Sequence, residues 1–424
     1  MDYFKRFLRI VGPGVITGAA DDDPSGMATY SQTGAQFGYA QLWTALFMLP
    51  LMISIQEACG RISAVKNKGL TSVIQENYSK KILYVVVSLI LIANIINIGA
   101  DISAMAAAAN LILPFNYYFF AIFFTVLMLV LQIYMRYQSY SKVLKWLCLA
   151  LITYPLTVIM VKQPWSEILK ATFVPHVEFN FQFLFIITGL LGTTISPYMF
   201  FWQAQQTVEE KRERGLIKHD GKAHLNWRAL KNIRIDTVMG MLFSEVAAWC
   251  IIVVAATVLH KNGITTINTA ADAAKALEPL VKTFPHAGYI AKLLFGVGII
   301  GLGLLSVPIL AGSASYALSS MLSIPKGLDL TFKRAKGFYG IIICAMIIGL
   351  LINFSGIDPM KALVYSAVIN GVIAVPLIFI INLIASNKKI MGNYKSGLLS
   401  KFFVWITFIC MALAASSMFF TLGK

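Results

Sequence analysis

The sequence predicts an all-α membrane protein with eleven transmembrane helices, forming a single domain over residues 1–424. Hydrophobic residues make up 58% of the chain and charged residues 13%, which lies outside the range of soluble globular proteins. Apolar runs long enough to cross a bilayer recur along the whole chain. Two of these runs, the first and the sixth, are interrupted at corresponding places, which predicts two repeated halves with a broken leading helix in each.

The predicted spans cover residues 10–36, 39–60, 82–110, 115–135, 143–161, 181–207, 238–259, 288–319, 338–354, 360–385 and 401–422. Most of the 35 lysines and arginines lie in alternate connections, beginning with the N-terminal segment. The positive-inside rule therefore predicts a cytoplasmic-membrane protein with its N-terminus inside and its C-terminus outside. The basic stretch from Glu209 to Arg234 is interpreted as a cytoplasmic connector near anionic lipid, and we expect no nucleic-acid partner.

The first span contains three adjacent carboxylates, Asp21, Asp22 and Asp23, followed by Pro24 and Gly26. A continuous helix does not fit, because proline has no N–H to donate and one aspartate at bilayer depth costs about 2.5–3.5 kcal/mol on insertion scales. Irregular backbone is tolerated there only if it lines a cavity or is buried in protein. The sequence therefore predicts an unwound segment that forms half of a substrate site, with Asp23 as the N-cap of the restarted helix.

The sixth span is interrupted in a similar way around Ile195, Ser196, Pro197 and Tyr198. With five spans in each half, the second half enters the membrane from the opposite side. We therefore expect a 5+5 inverted repeat, with residues 1–161 as the first repeat, residues 181–385 as the second and residues 401–422 as an additional helix. Broken helices that meet near the bilayer midplane are typical of secondary transporters.

The two breaks offer groups for a ligand of either sign. Carboxylate oxygens and the carbonyls at the helix ends, near Ala20 and Ile195, together make a site for a hard cation such as Mg²⁺, with Asp23 as the metal ligand. The restarted half-helices direct their positive N-termini toward the same cavity, which suits an anion. Ser196 and Tyr198 are candidate substrate contacts; alternatively, their hydroxyls satisfy the backbone groups that the break leaves without partners.

Other acids are candidates for coupling. Asp21 and Asp22 cannot both face the point that Asp23 faces, and their mutual repulsion makes one of them a candidate proton carrier. The alternative for either residue is an ion pair with a basic residue on a neighbouring helix. Glu245 lies at membrane depth in the seventh span, where it serves either coupling or an internal structural contact.

Several segments resemble the Nramp (natural resistance-associated macrophage protein) divalent-metal transporters. The opening GPGVITGAADDDPSG resembles the first helix of that family, whose motif is DPGN. The resemblance continues through IQEACGRISAVKNKGL, TTISPYMFFWQ and VPLIFIINLIASNKKIMGNY, so it covers nearly the whole chain. It implies a LeuT-type fold, substrate contacts at Asp23 and Gly26, and a proton-route position for Asp101, for which a structural hydrogen bond is the alternative.

The site motifs depart from those of the family. DPGN reads Asp23-Pro24-Ser25-Gly26, and the Met-Pro-His of the sixth helix reads Ser196-Pro197-Tyr198. A second histidine position is Gln203, the tenth-helix glutamine region offers Ile373 and Asn370, and the ninth-helix arginine has no counterpart between Gly340 and Asn353. Because a thioether favours softer transition metals, its loss predicts a hard or poorly discriminated cation.

These observations predict a secondary-active transporter that moves a divalent metal cation, driven by H⁺ or by the membrane potential. The alternative is a transporter of a small anion such as bicarbonate, or of another small solute, on the same scaffold. A channel is less consistent with two discontinuous helices, and an enzyme is not predicted because no nucleophile–base pair recurs at a common depth. Expected partners are the lipid bilayer and a small inorganic ion; no cofactor is predicted besides a transported or coupling cation.

Overall fold

The computed structural model describes residue 18 and residues 22–135, 152–213, 227–328 and 330–422, and the regular structure in these ranges is helical. The helices are α1 (Pro24–Phe37), α2 (Trp43–Lys66), α3 (Leu70–Asn77), α4 (Lys80–Ile112), α5 (Tyr117–Tyr134), α6 (Thr153–Met160), α7 (Trp165–Phe173), α8 (Phe181–Thr194), α9 (Pro197–Glu213), α10 (Trp227–Val258), α11 (Ala270–Ala274), α12 (Ala287–Met321), α13 (Lys336–Ile352), α14 (Pro359–Ser386), α15 (Lys388–Met391) and α16 (Leu398–Phe420). Short 3₁₀ turns cover His260–Asn262, Lys275–Val281, Asn353–Ser355 and Gly392–Tyr394.

Within the described ranges, 9 helical segments are long and apolar enough to cross a membrane. They match the second to fourth and the sixth to eleventh predicted spans. The start of the first span and the first half of the fifth lie outside the described residues, and α1 and α6 are the helices described in these two spans. The prediction of a helical membrane protein is thereby confirmed.

The outer surface of α5 illustrates why this fold belongs in lipid. Phe119, Phe123, Val126 and Val130 on this helix are all exposed. In water such a surface would be an apolar patch of the kind that marks an interaction site, whereas hydrocarbon solvates it directly. The polar side chains of the long helices lie mostly in the interior instead.

Four short helices were not predicted, namely α3, α7, α11 and α15, of which α3 and α7 are the longest. Helix α3 has 8 residues and lies in the link between the second and third spans. At about 1.5 Å per residue such a helix is too short to cross a bilayer. Helix α7 has 9 residues and lies in the link predicted to be extracellular, with Ile168 and Thr172 buried one turn apart. Both apolar runs are too short for spacing alone to distinguish them from a loop.

Close backbone contacts hold the two interrupted spans in the interior. A Cβ atom on Gly192 of α8 would lie 2.0 Å from the Ala367 carbonyl oxygen and 2.2 Å from the Gly371 amide nitrogen of α14. A Cβ atom on Gly34 of α1 would lie 2.4 Å from the Ile252 carbonyl oxygen of α10. Glycine at these positions lets the helix backbones touch, as small residues do between membrane helices.

Candidate substrate site between two helix breaks

The first break ends where α1 begins. Asp23 has an extended backbone (φ −68°, ψ 173°), Pro24 is the first helical residue, and the Asp23 side chain accepts a hydrogen bond from the Gly26 amide. Asp23 Oδ1 accepts this bond at 2.9 Å and a second one from the Ser25 hydroxyl at 2.6 Å. The predicted N-cap is therefore confirmed. Ala20 and Asp21, two other predicted site residues, lie outside the described residues.

The second break separates α8 from α9. Helix α8 ends at Thr194, Ile195 leaves the helical conformation (φ −113°, ψ 59°), and α9 restarts at Pro197. The Ser196 hydroxyl donates to the Thr193 carbonyl and lies 3.1 Å from the Gly192 carbonyl. The last carbonyls of a helix lack intrahelical donors, and the Ser196 hydroxyl supplies one. Ser196 thus makes the backbone contact that was considered as the alternative to a substrate contact.

The two breaks face each other through three pairs of side-chain oxygens. Tyr198 donates its hydroxyl to Asp23 Oδ2 over 3.4 Å. The hydroxyls of Ser25 and Thr193 lie 3.3 Å apart, and those of Tyr30 and Thr194 lie 3.1 Å apart. All of these side chains are buried. The structure therefore places Asp23 and Tyr198 together, as predicted, while their role in binding stays a prediction.

Asp22 faces away from this junction and toward α10. Its Oδ1 accepts a hydrogen bond of 3.0 Å from the Ser244 hydroxyl, and its Oδ2 has no hydrogen-bond partner. Glu245, the next residue along α10, lies within electrostatic range of Asp22, and its Oε1 also has no partner. The described neighbours of Asp22 are therefore a hydroxyl and a second acid. The ion pair considered for Asp21 or Asp22 stays a prediction, because Asp21 lies outside the described residues.

Asp101 approaches the junction from α4. Its Oδ2 accepts a hydrogen bond of 2.7 Å from Ser306 of α12, and its Oδ1 has no partner. The carboxyl groups of Asp101 and Asp23 lie within electrostatic range of each other. Asp22 also lies within electrostatic range of Asp23, so the four buried acids form one connected series in the order Glu245, Asp22, Asp23 and Asp101. No lysine or arginine in the described part of the chain makes an ion pair with any of the four.

The ligands available at the junction are oxygen atoms. Gly26 supplies only backbone, and a Cβ there would lie 3.2 Å from the Thr193 hydroxyl. Ile195 is fully buried and also offers only backbone polar atoms. Across the described ranges, no three His, Cys, Asp or Glu side chains are grouped so that they could hold a metal ion. A cation bound here would depend on one carboxylate, carbonyl and hydroxyl oxygens, and retained water.

Sequence reasoning missed four residues whose hydroxyls contact the junction or the buried acids beside it: Ser25, Thr193, Ser244 and Ser306. Only Ser25 carried a local signal, because a hydroxyl two residues after an aspartate N-cap commonly bonds to it. Asn370 of α14, which the sequence offers in the tenth-helix glutamine region, is buried, and neither of its amide atoms has a hydrogen-bond partner among the described residues. Its contact partners depend on how α14 packs, which spacing does not show.

Comparison with known proteins places this geometry in context. The family model described as "Natural resistance-associated macrophage protein-like" matches residues 14–421. A divalent metal cation transporter MntH of Caldanaerobacter subterraneus subsp. tengcongensis is 25% identical over 399 residues, which cover 92% of this chain and 87% of the relative. The MntH of Bacillus subtilis is 25% identical over 422 residues, covering 97% and 90% of the two chains.

Solved structures share the fold at lower identity. The manganese transporter of Eremococcus coleocola, in complex with an aromatic bis-isothiourea substituted compound, superposes with a TM-score of 0.76 at 16% identity, covering 100% of this chain and 90% of that one. Mhp1, a nucleobase-cation-symport-1 family transporter in a closed conformation, gives 0.63 at 12% identity, covering 97% and 90%. At these identities the likeness shows the fold alone.

Proposed function

The chain belongs to the Nramp family, and on this premise we propose that it is a secondary-active transporter that moves a divalent metal cation across the cytoplasmic membrane by alternating access. One observation carries the proposal. The buried carboxylate of Asp23 lies where two interrupted helices meet. Its Oδ1 accepts hydrogen bonds from Ser25 and Gly26, and among the described residues its Oδ2 has only a 3.4 Å contact to Tyr198. Oδ2 is therefore the oxygen that a cation can take.

The proposed architecture is a LeuT-type 5+5 inverted repeat with eleven spans, with the N-terminus inside and the C-terminus outside. The similarity to Mhp1 supports it, as do the breaks before Pro24 and Pro197 in the leading span of each half. In such folds one helix bundle rocks against the other around a site near the bilayer midplane. Rocking would expose the Asp23 junction to each side of the membrane in turn.

The proposed cargo is a hard or poorly discriminated divalent cation, closer to Mg²⁺ than to a Mn²⁺- or Fe²⁺-selective type. Asp23 is its only charged ligand, with the Tyr198 hydroxyl and backbone oxygens near Ala20, Gly26, Ile195 and Ser196 completing the shell. Support comes from the donor set, which consists of oxygen atoms only. Hard cations prefer such oxygens, whereas sulfur ligands such as thioethers select softer metals.

The proposed coupling residues are Asp21, Asp22, Asp101 and Glu245. For three of them, Asp22, Asp101 and Glu245, one carboxyl oxygen is buried without a hydrogen-bond partner. Protonation would remove a buried negative charge that no hydrogen bond to this oxygen stabilises, which makes these groups suited to carrying a proton. In proteoliposomes, Asp101→Asn is expected to keep uptake down a cation gradient and to lose its stimulation by an inward proton gradient. Unchanged stimulation would remove Asp101 from the coupling route.

Cation uptake into proteoliposomes tests the main proposal. Purified protein with a fluorescent dye inside the vesicles is expected to move Mg²⁺, Mn²⁺ or Ca²⁺ saturably, at rates far below ionic conductance. Asp23→Asn is expected to lower cation uptake at least about tenfold, because a neutral amide cannot replace the charged ligand. Glu278→Gln is the matched control, since Glu278 is an exposed acid far along the chain in a 3₁₀ turn. No uptake of any of the three cations under any gradient would refute the proposal.

A second candidate is transport of a small anion such as bicarbonate. It is favoured by the two helix starts at Pro24 and Pro197, because both direct N-terminal amides toward the junction and helix N-termini attract anions. The Asp23 side chain already caps the first of these starts, which weakens this candidate. Saturable uptake of labelled bicarbonate that is lost in Asp23→Ala, without movement of divalent cations, would favour the anion instead.

A further inference from the structure

A second polar pocket lies far from the helix breaks, on the face predicted to be cytoplasmic. Its volume is about 460 Å³, and it is enclosed by the start of α3, the end of α9 and the segment that follows α12. The lining side chains are predominantly polar: they include Lys68, Ser72, Arg212, Ser320 and Lys326. No aromatic side chain lines it. All three enclosing segments carry basic residues that the positive-inside rule places on one side.

Positive charge in this pocket exceeds negative charge. Lys68, Arg212 and Lys326 share it with one carboxylate, Glu76, which forms an ion pair with Lys68. In the described part of the chain, Arg212 and Lys326 make no ion pair with an acid. The cationic groups of Arg212 and Lys326 therefore line one pocket without an ion-pair partner in that part of the chain. Like charges at close range repel one another.

The surroundings of Lys326 show this unfavourable electrostatic interaction most directly. Its ammonium donates hydrogen bonds only to hydroxyls, to Ser320 at 2.6 Å and to Ser72 at 3.2 Å. Burial lowers the pKa of Lys326, and the positive charges of Arg212 and Lys68 lower it further. An anion placed among these groups would reverse the unfavourable electrostatic interaction and accept hydrogen bonds from each of them.

Backbone donors converge on the same place. Helix α3 begins after Gly69, and no side chain caps its N-terminus. Its first amides are donors without intrahelical partners, and the helix dipole adds positive potential there. Gly69 and Ser72 both line the pocket, so the first turn of α3 faces the basic side chains.

We propose that this pocket binds a phosphate group, either as inorganic phosphate or as the headgroup phosphate of an anionic phospholipid. Tetrahedral oxyanions suit this combination of guanidinium, ammonium, hydroxyl and helix N-terminal amide donors. The absence of aromatic lining offers nothing on which a nucleotide base could stack. A bound phosphate joins α9, the helix that follows the second break, to α3 and to the end of α12. The proposal is independent of which cargo the Asp23 junction carries.

Calorimetric titration of the purified full-length protein tests the site in two arms. One arm uses potassium phosphate against potassium chloride at equal ionic strength, and the other uses dioctanoyl phosphatidic acid in neutral detergent micelles. Saturable binding is expected in at least one arm, and it is expected to weaken at least about tenfold in the double variant Arg212→Gln/Lys326→Gln. The arm that responds identifies whether free phosphate or a lipid headgroup is the ligand.

Two further variants separate a binding defect from a folding defect. Arg212→Lys/Lys326→Arg keeps both charges and is expected to retain saturable binding that is weakened less than in Arg212→Gln/Lys326→Gln. Lys231→Gln/Arg234→Gln removes two basic residues from a different pocket on α10 and is expected to change nothing. The proposal is overturned if neither arm shows saturable binding, if Arg212→Gln/Lys326→Gln binds like the parent protein, or if the α10 variant loses binding equally.

Discussion

The two carboxyl oxygens of Asp23 have different roles in the proposed site: one holds the start of a helix, and the other is available to a ligand. Oδ1 holds the start of α1 through the Ser25 hydroxyl and the Gly26 amide, so it cannot leave without uncapping the helix. Oδ2 is bound only by Tyr198 at 3.4 Å, near the limit of a hydrogen bond. In the proposed mechanism a cation binds and leaves at Oδ2 while the helix start stays intact.

Ser25→Ala tests this division. Removing the hydroxyl deletes a 2.6 Å bond to a buried carboxylate, which is expected to lower the free energy of unfolding by about 1.5–3 kcal/mol. Ser366→Ala is the matched control, since its buried hydroxyl bonds only to the Leu363 carbonyl of its own helix. Thermal unfolding in detergent measures both. Equal loss of stability in the two variants would show that Ser25 does not anchor Asp23.

The breaks persist because neighbouring helices hold them. Helix α8 ends against α14 with its backbone in contact at Gly192, and α1 touches the backbone of α10 at Gly34, in its last turn. Ser196 bonds to carbonyls that α8 leaves without intrahelical donors. An interrupted helix at membrane depth needs such protein partners, since lipid provides none.

Two glycines three residues apart on α8 allow a direct test. Gly192→Ala would bring a Cβ within 2.0 Å of the Ala367 carbonyl oxygen, so α8 and α14 must separate, at a cost of about 1–3 kcal/mol or more. Gly189→Ala would place its Cβ 3.2 Å from a Val368 methyl group, which can shift. We expect lower yield of monodisperse protein and lower uptake for Gly192→Ala only, measured by size-exclusion chromatography and the proteoliposome assay. Equal behaviour would mean that this contact does not fix the break.

At the scale of the whole molecule, the sequence predicts those features that residues close together in the chain determine. Pro24 and Pro197 cannot continue a helix, so both breaks could be placed to within a residue or two. Which side chains meet across the breaks depends instead on the packing of distant helices. The hydroxyl of Ser244 that bonds to Asp22, and that of Ser306 that bonds to Asp101, lie on helices more than 200 positions away. No spacing rule connects such positions, so neither hydroxyl partner could be predicted from the sequence.

Membrane orientation is the remaining prediction at this scale. Helix α14 spans 28 residues, about 42 Å at 1.5 Å per residue, so its two ends lie on opposite sides of the bilayer. Lys361 is exposed at its start and Lys389 just beyond its end. The distribution of basic residues predicts Lys361 outside and Lys389 inside.

Single cysteines at these two positions test the orientation with a membrane-impermeant maleimide. The background lacks Cys148, Cys344 and Cys410, while the buried Cys59 and Cys250 are retained. Lys361→Cys is expected to react in intact cells, and Lys389→Cys only after the membrane is permeabilised. The unsubstituted background gives the baseline labelling. The reverse pattern would place the phosphate pocket and the basic connections on the outer face, where the positive-inside rule does not put them, and would invert the direction assigned to both repeats.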